Sequence, residues 1–177
     1  MNTKKILIVI DMQNDFVDGS LGTPEAKEAV MNIKSKIKEY CTSNSCYIYY
    51  TQDTHYTNYL DTLEGKKLPV KHCIHKTEGW DITPRLKVDL RINGERLIKE
   101  TFGYTEWKSL LGAEEEIGHI EICGLCTDIC VISNALILRA LYPNTRIYID
   151  SLCCAGTTPE NHMAALDVMK SCQIDVI

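Results

Sequence analysis

Three cysteines crowd the stretch ICGLCTDIC, residues 122–130: Cys123, Cys126 and Cys130, with a Thr-Asp pair between the last two. Thiols so spaced could bind a metal, pair as disulfides, pack as small apolar groups, or attack a carbonyl. Metal ligation fits poorly, because Cys-x2-Cys-x3-Cys does not follow the common zinc or iron–sulfur spacings. Attack requires a thiol that can lose its proton, and two distant residues could assist. Asp11 follows the apolar run KILIVI, and Lys99 closes the run ERLIK. A nearby ammonium favours the thiolate, and so does the start of a helix, so the thiol pKa of Cys130 is expected to be depressed. A carboxylate can take the thiol proton and return it to a leaving amine. Backbone N–H groups at the same helix start could hold an oxyanion.

A second group of chemically capable residues lies in QDTHYTNYLDTLEGKKLPVKHC. Asp53 and His55 alternate by two and leave a strand end on the same side. Glu64 and His72 follow. Two imidazoles and two carboxylates suit a borderline divalent ion, zinc first, with iron or manganese as alternatives. Surface loops also carry such residues without binding anything, and spacing alone leaves that open.

Composition narrows the setting. The chain has 177 residues, 45% hydrophobic and 24% charged, and is read as a single domain spanning 1–177. A net charge of -5 argues against a nucleic-acid partner, which calls for a basic face. No apolar run approaches the roughly 18 residues of a membrane span. The opening MNTKKILIVIDMQ has an apolar run too short for a signal peptide and is read as a first strand. With nine cysteines and no secretion signal, a reducing, cytoplasmic setting is expected. The cysteines at 41, 46, 73, 153, 154 and 172 are scattered and read as packing or loop thiols.

These residues need elements to position them. Continuous or aromatic-rich apolar runs predict strands at 5–10, 46–51, 95–99, 118–123 and 145–149, with QIDVI at the C-terminus as a sixth. Helices are predicted at 24–40, opening with Thr23-Pro24-Glu25, and at 158–171, opening with Thr158-Pro159-Glu160. A third spans 127–141, capped by Thr127 or Asp128. Residues 52–94 show little periodicity and read as a long functional loop. Alternation of this kind predicts an α/β fold, a doubly wound six-stranded parallel sheet with helices on both faces. Ligands of such sheets bind beyond the carboxyl ends of the strands, where Asp11, Asp53, His55, Lys99 and the Cys126–Cys130 turn should converge.

The chain resembles the isochorismatase-like cysteine hydrolases, most closely their nicotinamidase/pyrazinamidase branch. The resemblance rests on IVIDMQNDF at 8–16, TQDTH at 51–55, LPVKHC at 68–73, IKETFGY at 98–104 and GLCTDICV at 124–131, in the family's order. It implies Cys130 as nucleophile, with Asp11 and Lys99 completing a catalytic triad. It implies one divalent metal ion held by Asp53, His55, Glu64 and His72. An oxyanion hole would come from the N–H groups of Cys126 and Cys130, after a cis peptide at Leu125-Cys126. Phe16 would wall the substrate pocket. Leu68 stands where many nicotinamidases have an aromatic residue, often Trp, against the pyridine ring. The expected reaction is hydrolysis of a small-molecule amide, nicotinamide first, through a thioester. A related amidase acting on another small amide or an N-carbamoyl compound is the alternative, and a thiol redox or metal-binding protein a remoter one. The resemblance also suggests a homo-oligomer. True isochorismatases lack the cysteine nucleophile, so Cys130 argues against that branch.

Overall fold

In the computed structural model, residues 3–42, 45–86 and 94–177 are described. Six strands pair in parallel in the order β3-β2-β1-β4-β5-β6. They are β1 (Lys4–Ile10), β2 (Cys46–Asp53), β3 (Gly94–Lys99), β4 (Ile117–Leu125), β5 (Arg146–Ala155) and β6 (Asp175–Val176). The chain winds outward from β1 to β3, returns to the centre at β4, and winds outward again. The direction therefore reverses between β1 and β4, the switch point of a doubly wound sheet. Ile6 to Ile10 of β1 are each at most 1% exposed, as a strand covered on both faces must be.

The helices are α1 (Asn14–Val17), α2 (Pro24–Tyr40), α3 (Leu63–Lys67), α4 (Trp107–Leu111), α5 (Ile132–Leu141) and α6 (Pro159–Ser171). Helix α2 forms where its cap predicts: the Thr23 hydroxyl accepts from Ala26 N–H at 3.0 Å, with Pro24 in the first turn. Its buried residues Ala26, Ala29, Val30, Ile33, Ile37 and Tyr40 make one stripe, which lies across β1, β2, β4 and β5. Helix α6 starts the same way, Thr158 accepting from Asn161 N–H. It packs against α5, β5 and β6.

Three expectations change in the structure. The segment after β4 is not one regular helix capped by Thr127 or Asp128. Cys126 occupies the cap position, and Thr127–Val131 forms a π-helical turn before α5 begins. The Thr127 and Asp128 side chains are drawn away to residues 157 and 162, so neither is free to cap. Strand β5 runs past 149 to Ala155. Ile122 pairs with Ile149 and Gly124 with Cys154, so β5 carries three residues more than β4 over that interval, a bulge at residues 150–153. The last strand shrinks from QIDVI to Asp175–Val176, because Gln173 turns the chain with φ of 62°. The irregular region after β2 holds α3 and three short 3₁₀ turns; residues 87–93, which complete the predicted loop, lie outside the described residues.

The β5 bulge carries a polar lock. Asp150 sits 2.8 Å from the Lys36 ammonium of α2, which also contacts Glu121 of β4. Tyr40 donates to Glu121 at 2.8 Å. Burial pushes the Lys36 ammonium down, but its hydrogen bonds to Asp150 and Glu121 outweigh this and raise its pKa. Removing one member of such a group strands the others without a partner. Lys36→Met is expected to lower stability by about 3 kcal/mol, read as a shift in the urea midpoint. Replacing Glu121 by Gln in the same background should cost much less than it does alone.

Candidate active site

Four adjacent strands deliver the reactive residues. In sheet order, β3 ends in Lys99, β2 in Asp53, β1 leads into Asp11, and β4 leads into the turn holding Cys126 and Cys130. Asp53 and Lys99 are register partners, as are Ile10 and Gly124 immediately before Asp11 and the thiol turn. Gly124 has φ of 122°, and a Cβ there would lie 2.1 Å from the Ile10 carbonyl oxygen. Only glycine lets β1 and β4 close up at this point. The peptide between Leu125 and Cys126 is cis.

Lys99 Nζ is the hub. It lies 2.6 Å from Asp11 Oδ2, 3.2 Å from Asp53 Oδ1 and 3.5 Å from Cys130 Sγ, all buried. Burial disfavours the ammonium, but Asp11, Cys130 and Asp53 hold its pKa above the ordinary lysine range. Asp53 is pushed up by burial and pulled further down by His55 and Lys99, ending below the usual carboxylate range. Asp11 goes the other way: burial raises its pKa, and Lys99 offsets this only in part. The Asp11 backbone, with φ of 46°, is held by its N–H donating to Thr51 Oγ1 at 3.1 Å, while that hydroxyl donates to Asp11 Oδ1 at 2.7 Å. Oδ2 is ion-paired but has no directional hydrogen bond among the described residues, which leaves a lone pair able to take a proton.

The depressed thiol expected from the sequence is not what this environment produces. Burial first, then the Asp11 carboxylate, pushes the Cys130 thiol well above its ordinary range, and Lys99 only partly opposes them. These surroundings favour the protonated sulfur, which lies beside the Asp11 carboxyl group.

The second group adjoins the first through Asp53, whose Oδ1 faces Lys99 and whose Oδ2 faces the histidines. His55 Nε2 lies 3.0 Å from Asp53 Oδ2 and 3.4 Å from Glu64 Oε1; His72 Nε2 lies 3.7 Å from each. One ligand atom from each of the four residues lies within 4.8 Å of every other. A tetrahedral ion with bonds of about 2.1 Å has ligand–ligand edges of about 3.4 Å, close to these separations. His55 Nε2 is buried facing the Asp53 and Glu64 carboxylates, with no directional hydrogen bond to either, an arrangement of donor atoms that a cation would complete. His72 Nδ1 is engaged with the Val70 carbonyl at 2.9 Å, which leaves Nε2 to face the cluster. The residues therefore fit a divalent ion. Burial lowers the His55 pKa, but the adjoining Asp53 and Glu64 carboxylates raise it to about 9.

Both groups open on one cavity of about 700 Å³. Phe16, Leu68, Leu125 and Ile129 supply apolar wall, and Cys126, Cys130, Asp53, Glu64 and His72 line the same space. Phe16 packs 5.5 Å from the His72 ring. Of the residues singled out in the sequence, Phe16, Asp53, Glu64, Leu68, His72, Cys126 and Cys130 line this space, and Asp11, His55 and Lys99 lie in contact with them. Three that were not singled out support them. Gln13 donates to the Asp53 carbonyl and accepts from the Asp53 N–H, both at 2.8 Å, tying the ends of β1 and β2. Thr51 holds Asp11 as above. Asn134, fully buried, donates to the Cys130 carbonyl at 2.7 Å and accepts from Trp107 Nε1 and Tyr104 N–H. The signal for Asn134 was available: an amide in the apolar run VISNALIL, one helical turn after Cys130.

In class this is a parallel-sheet α/β protein with a buried thiol, ammonium and carboxylate gathered at the carboxyl ends of its central strands. The chain belongs to the isochorismatase family, whose domain model matches residues 5–177. It is 33% identical over 92% of both chains to the uncharacterized isochorismatase family protein PncA of Bacillus subtilis (strain 168). Its fold is similar to that of pyrazinamidase of Pyrococcus horikoshii in complex with zinc, with a TM-score of 0.83, 26% identity, and 98% of each chain covered. It is similar also to nicotinamidase PncA from Bacillus subtilis, with a TM-score of 0.82, 29% identity, and 98% and 99% covered. Among the described residues no helix is long and apolar enough to cross a membrane, and all nine cysteines are free.

Because the Cys130 thiol is raised, alkylation of Cys130 by iodoacetamide in metal-free protein should be slow at pH 7, slower than that of exposed Cys41, and climb only above the ordinary thiol range near pH 8.5. Mass spectrometry of labelled peptides reads this; a Cys130 rate already at its plateau by pH 7 would contradict the raised thiol. Metal binding is tested separately. The protein should take up one equivalent of zinc with a rise in Tm, and His55→Ala should abolish both.

Proposed function

We propose that this protein is a metal-dependent nicotinamidase, hydrolysing nicotinamide to nicotinic acid and ammonia through a cysteine thioester. The observation that carries this reading is the division of Asp53 between two clusters, which sets a cation site and a thiol side by side at the floor of one apolar cavity. A flat heteroaromatic amide has the two matching features, a ring nitrogen and a carboxamide one ring carbon removed. The zinc-bound pyrazinamidase and the nicotinamidase among similar structures support the same reading.

A divalent ion held by Asp53, His55, Glu64 and His72 would supply a Lewis-acid anchor for the ring nitrogen. Phe16 and Leu68 flank the ring. As Cys130 Sγ attacks the carboxamide carbon, its proton passes to Asp11, whose raised pKa suits it to accept and release a proton. The tetrahedral oxyanion is held by the N–H groups of Cys126 and Cys130. Asp11 then gives the proton to the departing nitrogen, ammonia leaves, and a thioester to Cys130 remains. Water attacks the thioester with Asp11 as base, nicotinic acid is released, and the thiol recovers its proton. Lys99 holds Asp11 in place and balances its charge through both half-reactions. Cys126 contributes its backbone, not its sulfur.

Ammonia release from nicotinamide tests the reading. Cys130→Ala should lose at least about a thousandfold in kcat with its fold intact, whereas Cys126→Ala should stay within about tenfold of the parent. Equal losses in the two variants would refute this division of roles. Chelation should reduce kcat/KM for nicotinamide far more than for benzamide, which lacks the ring nitrogen but keeps the amide. Strong turnover of an N-carbamoyl compound, with none of nicotinamide, would move the assignment to another amidase of the family.

A further inference from the structure

The turn carrying both proposed oxyanion donors is braced from outside the catalytic cluster. Its two polar side chains, Thr127 and Asp128, project toward the corner between β5 and α6. Thr127 Oγ1 lies 2.8 Å from Nδ1 of His162, in the first turn of α6. Asp128 accepts from Thr157 N–H at 2.8 Å and from the Thr157 hydroxyl at 2.5 Å. Asn161 in turn donates to Thr157 Oγ1 at 2.9 Å. Thr127 is fully buried, so its hydroxyl depends on the protein for a partner, and His162 is the partner it has. The corner must come close for this contact: a Cβ on Gly156 would sit 2.8 Å from His162 N and 2.9 Å from its Cα. Gly156 and Thr157 also line the cavity, so the brace ends at the substrate's edge.

We infer that His162 is a positioning residue for the oxyanion turn, acting through the Thr127 hydroxyl. Cys126 precedes Thr127 and Cys130 follows three residues later, in a π-helical turn that lacks the regular i→i−4 ladder of an α-helix. The backbone bonds of this turn converge on the Cys126 carbonyl, from the Ile129 and Val131 N–H groups at 3.1 Å each, and leave the orientation of the whole turn to its side-chain contacts. The direction in which two N–H groups point therefore depends on what holds the residues between them. Three contacts do so: His162 on Thr127 and Thr157 on Asp128, both from the β5–α6 corner, and the Ser133 hydroxyl donating to the Ile129 carbonyl at 2.6 Å from within α5. Oxyanion stabilisation is steeply sensitive to donor placement, so loosening one contact should affect the transition state more than the bound substrate.

The inference rests on the nicotinamidase reading only for its substrate, and a second probe separates the two. His162→Leu should lower kcat for nicotinamide about tenfold to a hundredfold while KM stays within about twofold. Iodoacetamide labelling of Cys130, a reaction that forms no oxyanion, should keep its rate. His162→Asn places an amide where Nδ1 stood and should recover most of kcat; His162→Gln, which reaches the Nε2 position instead, should not. Thr127→Val should resemble His162→Leu, and the double variant should be no worse than either single one, because the contact is lost only once. Propanal gives a thiohemiacetal on Cys130 whose oxygen occupies the same donors, and its affinity should fall in His162→Leu whatever the natural amide is. A parent enzyme inert toward nicotinamide but binding propanal in this His162-dependent way would overturn the substrate assignment and leave the brace standing. The brace itself is overturned if His162→Leu keeps kcat and propanal affinity within twofold, if labelling falls in parallel with them, or if Asn restores no more than Gln.

Discussion

A lysine ammonium buried to the depth of Lys99 must have anions beside it, and most of the site can be understood as the means of supplying them. Two carboxylates supply them, within 3.2 Å of the nitrogen, and the Cys130 sulfur completes the surroundings at 3.5 Å. Each comes from a different strand end, so the arrangement exists only if β3, β2, β1 and β4 lie side by side in that order. Charge neutrality thus constrains topology. The same requirement fixes proton affinities: Lys99 stays charged, Asp53 is pulled down by its cationic neighbours, and Asp11 is left with a raised pKa at the mouth of the thiol.

Asp53 is where the two halves of the site meet. One oxygen belongs to the ammonium and the other to the imidazoles. Through this carboxylate, whatever charge the imidazole cluster holds and the electrostatics of the thiol become a single problem. Gln13 grips the Asp53 backbone on both sides, and so holds the one residue whose displacement would disturb both groups.

Much of this was legible in the sequence because strand ends are. The apolar runs KILIVI and CYIYYT place Asp11 and Asp53 without knowledge of any contact, and Thr-Pro-Glu marks α2 and α6 to the residue. What escaped depends on tertiary context. Burial of Cys130 reverses the shift that a helix start and a lysine alone would give. The bulge in β5 escaped because Asp150-Ser151 interrupts the apolar run, and its reason lies across the sheet in Lys36. Thr127 and Asp128 look like helix caps until α6 claims both. Supporting residues such as Gln13 and Thr51 have no periodic signature, since a polar side chain at a strand end reads as solvent-facing until its partner is known.

Strand β3 is the outermost on its side of the sheet, and it carries Lys99 at its final position. Edge strands are ordinarily the first parts of a sheet to open, and amide protons there exchange with solvent early. Here the outer strand is fastened at one end by charge: to lift away, it must draw an ammonium from between two carboxylates. Opening should therefore begin at Gly94 and stall before Lys99. The buried cluster around Lys99 would then be among the last parts to feel a local fluctuation of the sheet, although Lys99 itself sits on its rim.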